Sequence, residues 1–401
     1  VARRKEQVMN KNILGIHGNL LRSDVRYGSD ELVKAWDRNG FHYLRLPGGS
    51  SNHWYQWKTG IFHENNWSFV GDTSEKDRYM IFGANKARET HGAYLVNDMI
   101  DFLIETGTEY SYVVNAAEPF QNHRDFLKHW KASGLDLKNV EYGNEMYTPQ
   151  KYAEFENVQM YTDKAKNFNY VLKQDFPDAK LGLTVSMEAF KPHKPGAKRD
   201  ELLHWDEGIR NQEWRDANII HFYATPAVNS AWGKWSANEV SYYTALNHWN
   251  KYFEEAVSTW DDKPIWVTEW GVYPWPRTQG EPELYSYLSS KYNHLFVAHA
   301  LIEMMLEPRI TLAAYHSWTQ LLEGSGINAE LAEPGCNATK EVFKVFGELT
   351  NETPERVGIR GHGCTGVKLG NTLILVNRMD QKNIVEGCEV PAHSVIVRKY
   401  V

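Results

Sequence analysis

Eight short apolar runs recur along the chain at long, fairly even intervals, and helical patterns fill the gaps between them. The runs predict strands at Asn12–Ile16, Phe41–Leu46, Glu109–Val114, Asn139–Tyr142, Lys180–Met187, Ile219–Tyr223, Pro264–Thr268 and Thr311–Tyr315. Apolar residues at helical spacing predict helices over Asp30–Asn39, Tyr94–Glu105, Tyr152–Phe176, Asn238–Ala256 and Tyr285–Met305. Gly40 and Gly107 follow two of these as stop signals, and Pro177 follows a third. Strands alternating with helices need a parallel sheet with right-handed crossovers. Eight such units fit a closed (β/α)8 barrel, which takes roughly 250 residues; counting alone leaves a doubly wound open sheet as the alternative.

The pattern changes toward the C-terminus. Glu341–Glu348 reads as a last helix, and beyond Val357 only short strands separated by turn signals are predicted, at Thr365–Leu369, Leu373–Asn377, Ile384–Val385 and His393–Arg398. The expected organisation is α/β: a (β/α)8 TIM barrel over residues 12–345 and a small antiparallel β-sandwich-like domain over 346–401, with residues 1–11 as candidates to complete it.

Composition removes several function classes. The chain has 401 residues, of which 42% are hydrophobic and 13% aromatic, too rich in large apolar groups for a disordered chain. A net charge of −7 argues against a general polyanion or nucleic-acid binder. No apolar run reaches the ~18 residues of a membrane span. Cys336, Cys364 and Cys388 are too few for a disulfide framework, and only Cys364 with Cys388 forms a candidate pair. The chain opens on the charged stretch Val1 to Glu6 with no apolar signal segment, so a targeting peptide is either absent or already removed; a secreted or periplasmic protein with its signal peptide removed is the expectation.

Barrel enzymes gather their chemistry at the C-terminal ends of the strands. Two glutamates end strands in similar Gly- and Trp-rich settings: Glu145 after strand four and Glu269 after strand seven. Those strands face each other across a barrel mouth. Glycosidic cleavage needs such a pair, one carboxyl group to protonate the leaving oxygen and one to attack or to activate water. A single strand-end glutamate is more often a surface charge; two at matched ends are not so easily dismissed.

Gly143-Asn144-Glu145 resembles the Asn-Glu acid/base motif at the end of strand four in clan A glycoside hydrolases, and Thr268-Glu269-Trp270 resembles the strand-seven nucleophile of that clan. Arg45-Leu46-Pro47-Gly48-Gly49 is similar to a strand-two motif of the arabinofuranosidase, xylosidase and heparanase-like glucuronidase branches. The strand-seven motif departs from the arabinofuranosidase form, Thr268 and Gly271 standing where that branch has Asp and Asn. The resemblance implies that Glu145 is the general acid/base and Glu269 the nucleophile. It implies that Arg45 bonds to Glu269, that Asn144 holds the sugar 2-hydroxyl, and that His221 or Tyr223, Tyr223 being the stronger choice, contacts the nucleophile. Trp318 matches the aromatic platform beyond strand eight.

Specificity is expected in the loops of the same mouth. Trp54, Trp57 and Trp270 are candidate faces for sugar rings, as are Tyr55, Tyr147, Trp232, Trp235, Tyr273 and Trp275, although core packing explains any one of them equally well. The loop after strand five carries Lys191, His193, Lys194, Lys198 and Arg199. In a net-acidic chain such a patch suits the sulfate or carboxylate groups of an anionic glycan, such as an algal galactan. Neither a nucleotide-binding loop nor a His/Asp/Cys cluster at ligand spacing is evident for His17, His53 or His193, so no cofactor is expected. The expected partner is a polysaccharide or oligosaccharide, and no nucleic acid or membrane is implied. The leading expectation is a retaining β-glycoside hydrolase. An exo-acting β-glucuronidase, β-xylosidase or α-L-arabinofuranosidase, a polysaccharide lyase and a non-catalytic carbohydrate-binding protein stay open as alternatives.

Overall fold

Each barrel strand is a short apolar run that can be buried on both faces, and each is followed by a helix with one apolar face, so the chain closes on itself. The computed structural model describes residues 8–18, 26–37, 40–62, 89, 92–147, 157–186, 197–224, 249–260, 262–272, 291–316, 335–357 and 363–399. The strands are β1 (Gly15–His17), β2 (Tyr43–Leu46), β3 (Glu109–Val114), β4 (Asn139–Tyr142), β5 (Lys180–Thr184), β6 (Ala217–Ala224), β7 (Ile265–Val272) and β8 (Ile310–Tyr315). They form a closed parallel barrel in chain order, β8 pairing with β1 through Gly15 opposite Ala314. The helices around it are α1 (Asp30–Asp37), α2 (Val96–Thr106), α3 (Phe120–Ala132), α4 (Val158–Asp175), α5 (Ala197–Arg210), α6 (249–259), α7 (Lys291–Met305) and α8 (Gly335–Gly347).

Several boundaries differ from the sequence reading. Asn12 and Ile13 lie in a 3-10 turn capped by the Asn10 side chain rather than in β1. Helix α3 was not expected, although Phe126, Leu127 and Trp130 all bury on one face of it. Residues 197–199, read as the end of a basic loop, begin α5. Among the described residues no helix is long and apolar enough to cross a membrane.

The lower barrel is plugged by Tyr43, Ala217, Ile219, Trp266 and Leu312. Gly182 of β5 makes room for this layer, because a Cβ there would lie 2.7 Å from the Trp266 ring. Above the plug, β7 carries one extra residue. Ile219 of β6 pairs with Trp266 and His221 with Glu269, while Ala313 of β8 pairs with Val267 and Tyr315 with Trp270. A bulge of this kind shifts the in-out alternation by one. Thr268 and Glu269 therefore both reach polar partners inside the barrel, and Trp270 turns outward to the helices.

The C-terminal strands are β9 (Pro354–Arg356), β10 (Cys364–Leu369), β11 (Thr372–Asn377), β12 (Asn383–Val385), β13 (Cys388–Val390) and β14 (Ser394–Lys399). Four of them form an antiparallel sheet in the order β9-β10-β11-β14, and β12 with β13 forms a separate ribbon. β11 is buried along its whole length. Ile374 and Val376 join the main core on one face, and Leu373 and Leu375 join Val385, Cys388 and Val390 on the other. Cys364 and Cys388 are buried there as free thiols, not as a disulfide. On the barrel side, His299 of α7 is buried with Nδ1 2.8 Å from Thr365 Oγ and Nε2 2.9 Å from Asn250 of α6.

Candidate active site

Strand register brings the polar residues of the barrel mouth together. His17 pairs with Arg45, Arg45 with Ser111, and His221 with Glu269 across neighbouring strands. Arg45 is fully buried and spans the barrel. Its Nη1 donates to Glu269 Oε1 at 2.6 Å and its Nη2 to Asn144 Oδ1 at 2.8 Å. Its Nε and Nη2 fork onto Glu141 at 3.0 and 2.8 Å. Burial disfavours the charged guanidinium, but Glu141 and Glu269 more than offset that and raise its pKa.

Glu269 sits at the bulge with its side chain 8% exposed. Its Oε1 takes the Arg45 bond and its Oε2 accepts from the Tyr223 hydroxyl. Burial would push this carboxyl up; its interactions with His221 and with the fixed charge of Arg45 outweigh it and hold the group well below the usual carboxylate range. Burial and the adjacent Glu269 raise the Tyr223 phenol in turn, so it stays a donor. Glu145 is the more open of the pair, with 26% of its side chain exposed. Its backbone is left-handed at φ 49°, a conformation that costs an ordinary residue roughly 1–2 kcal/mol. His221 Nδ1 lies 3.1 Å from Glu145 Oε1 and 3.8 Å from Glu269 Oε2, and Tyr147 shares a hydrogen bond with Glu145.

One ligand atom from each of Glu145, His221 and Glu269 lies within 4.8 Å of the other two. Such a set could grip a cation, yet Arg45 already supplies a fixed positive charge to Glu269 at 2.6 Å, and the set reads better as paired acid and base groups. Gly49 approaches the site closely, and a Cβ there would lie 2.5 Å from Glu269 Oε1. His17 lies against the same oxygen at 3.8 Å and stacks on His316 at 5.0 Å between ring centroids. Burial keeps His17 well below the ordinary histidine value, so it is neutral there.

Seven of the residues singled out in the sequence thus converge: Arg45, Asn144, Glu145, Tyr147, His221, Tyr223 and Glu269. The tryptophans do not. Trp270 is fully buried outside the barrel against Trp249, Tyr315 and Phe343, because the bulge turns it away from the mouth, so it offers no face to a sugar. Trp54 is buried within the core, and Trp57 packs edge-on to Phe126 and against His129 of α3, anchoring its loop to that helix. Lys191, His193, Lys194 and Trp318 lie outside the described residues, as do Trp232, Trp235, Tyr273 and Trp275. The sequence reading missed Glu141, Ser111 and Thr268, which lie beneath the pair. A Glu on β4 and an Arg on β2, each flanked by apolar neighbours in a short strand, was the available signal, because buried charges need partners.

No family model and no curated protein matches the chain. Its fold does match solved structures. A GH51 arabinofuranosidase from Xanthomonas axonopodis pv. citri aligns over 94% of this chain and 83% of its own, with a TM-score of 0.59 and 14% identity. A xyloglucanase of glycoside hydrolase family 44 from Paenibacillus polymyxa aligns over 98% and 97%, with a TM-score of 0.58 and 10% identity. A family 51 alpha-L-arabinofuranosidase from Bifidobacterium longum aligns over 95% and 86%, with a TM-score of 0.56 and 14% identity. The chain therefore has the fold of these barrel glycoside hydrolases.

Proposed function

We propose that this chain is a retaining glycoside hydrolase acting on a polysaccharide or oligosaccharide, with Glu269 as nucleophile and Glu145 as general acid/base. The observation that carries the reading is the close approach of the two carboxyl groups, with oxygens within 4.8 Å of each other. Retaining glycosidases hold the pair about 5–5.5 Å apart, whereas inverting ones need roughly 6.5–9.5 Å to admit a water.

The two environments sort the roles. Arg45 and Tyr223 keep Glu269 ionised and aimed, as a nucleophile must be. Glu145 protonates the glycosidic oxygen while Glu269 attacks C1, the C1–O bond breaks, and a glycosyl-enzyme forms. Esterification removes the negative charge of Glu269, and Glu145 then takes a proton from the water that releases the sugar. With its Oδ1 engaged by Arg45 and its amide nitrogen donating one hydrogen to Ser50 Oγ at 3.4 Å, Asn144 has its second amide hydrogen to offer a sugar hydroxyl.

An anionic glycan is the substrate class this reading favours, on the strength of the Lys191, His193 and Lys194 segment after β5. A screen of sulfated galactans, glucuronides, xylan and arabinan, read as released reducing ends, identifies the sugar and separates it from the exo-acting alternatives. With that substrate, proton NMR of the first product should show the starting anomer. Glu269→Gly should be inactive on its own and, with azide and an activated aryl glycoside, should yield the glycosyl azide of opposite configuration. Glu145→Ala with azide should yield the retained one. An inverted product from the wild type, or full activity without Glu269, overturns the mechanism.

A further inference from the structure

Beneath the two reacting carboxyl groups runs a chain of hydrogen bonds whose direction is fixed at its lower end. Glu141 is fully buried on β4. It accepts from Arg45 at 3.0 and 2.8 Å, from Ser111 Oγ at 3.0 Å and from Thr268 Oγ1 at 3.0 Å. Glu141 is the acceptor in each of these bonds, so the hydroxyl hydrogen of Thr268 points down at it. A hydroxyl has one hydrogen to give. Toward His221 Nε2, 3.1 Å away, Thr268 Oγ1 can only accept. His221 Nε2 therefore carries a hydrogen.

A neutral imidazole has one N–H, and the hydrogen bond made by one nitrogen decides what the other presents. With Nε2 protonated, Nδ1 presents its lone pair to Glu145 Oε1 at 3.1 Å. That contact is a hydrogen bond when Glu145 brings the proton. An imidazolium would hold the same proton on nitrogen. In both cases the Glu145–His221 pair holds two protons, one more than in the opposite tautomer, in which Nδ1–H would donate to a bare Glu145 carboxylate.

We propose that Thr268 and Glu141 are positioning residues that fix the tautomer of His221 and so keep the transferable proton on the Glu145–His221 pair in the resting enzyme. This rests on the assignment of Glu145 as the general acid. In the first step the proton passes to the glycosidic oxygen as that oxygen takes the electron pair of the breaking C1–O bond, and Glu269 supplies the pair for the new one. His221 holds the tautomer and is unchanged at the end. Losing the Thr268 hydroxyl removes the acceptor for Nε2–H; the ring relaxes to Nδ1–H and Glu145 rests as a carboxylate that has no proton to give.

The test compares two aryl glycosides of the sugar the wild type cleaves. One has a phenyl leaving group, which needs protonation, and the other a 2,4-dinitrophenyl group, which leaves as a stable anion. General acid catalysis contributes about 10²–10⁴-fold. Thr268→Val is expected to lower kcat/KM on the phenyl glycoside by about 10²-fold and to leave that on the dinitrophenyl glycoside unchanged, and Thr268→Ser, which keeps the hydroxyl, is expected to restore the slow substrate. Equal losses on both substrates, or no loss on either, overturn the relay. Glu145→Ala run alongside isolates the premise: if it too shows no dependence on leaving group, Glu145 is not the acid and the relay falls with it. A long-range proton–nitrogen NMR correlation of the wild-type imidazoles needs no variant to fold. His221 is expected with hydrogen on Nε2, and a neutral Nδ1–H ring overturns the proposal.

Discussion

The guanidinium of Arg45 stands 2.6 Å from Glu269 and forks onto Glu141 from its other edge, so one buried cation is shared between two buried carboxylates. Removing one partner of a buried ion pair leaves a bare charge, which typically destabilises by 3–5 kcal/mol. Arg45→Met should therefore lower unfolding stability by about 3–5 kcal/mol in urea. Adding Glu141→Gln should recover part of that loss; losses that simply add would show that the two residues are not coupled.

Glu269 gives a pH dependence of definite sign. Its folded pKa is depressed by His221 and Arg45 although burial opposes this, so folding favours the ionised form. The resulting stability is fully present above the unfolded value of about 4.3 and is lost as pH falls through the lower folded value. The stability of the wild type minus that of Glu269→Gln should be level above about pH 5 and fall steadily in more acid solution. A difference that does not change with pH would contradict the depressed pKa.

Asp206 of α5 shows the opposite sign. Burial pushes its carboxyl up to about 8, and the bond from the Ser186 amide at 2.6 Å and the charge of Arg210 offset this only partly. The folded state then binds the proton that the unfolded chain releases near pH 3.9, so stability should fall with rising pH from about 4 to about 8. Asp206→Asn keeps the acceptor for Ser186 and carries no charge. Chemical unfolding should show it gaining on the wild type progressively across that window, with equal curves refuting the buried acid.

Gly49 leaves no room beside the nucleophile. An added Cβ would lie 2.5 Å from Glu269 Oε1, so Gly49→Ala has to displace that carboxylate. A misplacement of about 1 Å can cost 10²-fold in rate. Activity on the best substrate should fall by at least about 10²-fold while the melting temperature stays near that of the wild type.

Trp270 belongs to the core and not to the cleft. It is enclosed by Trp249, Tyr315 and Phe343, and truncating a buried Trp to Ala costs about 3–5 kcal/mol. Trp270→Ala should show a loss of that size in denaturant unfolding. Any activity that survives at low temperature should show an unchanged KM, whereas a raised KM would restore Trp270 to the sugar site.

The strands were legible because a barrel strand buried on both faces is an apolar run; Gly, Asn and Glu marked the end of β4, whereas β7 runs on past Glu269 to Val272. That is how Glu145 could be placed, and Glu269 could be placed by the run that precedes it. Trp270 went astray for a local reason: a bulge adds a residue to β7 without any mark in the composition, and it reverses which neighbours of Glu269 face inward. Glu141 was passed over because it lies below the strand end where chemistry was sought, and Thr268 was read only as the residue before Glu269, with no role of its own. Their role depends on bond direction across strands β4, β6 and β7, which no pattern along a single strand records. Helix α3 was hidden by its polar content, since only Phe126, Leu127, Trp130 and His123 turn inward.

The buried imidazole of His299 has its own consequence. It bonds to Thr365 of the terminal sheet on one side and to Asn250 of α6 on the other, and burial keeps it neutral. Cutting the chain ahead of the sheet would bare this ring together with the apolar face of α7. The sheet therefore behaves as part of the barrel wall, and exchanging it like a cassette between enzymes would mean rebuilding the helix that it lines.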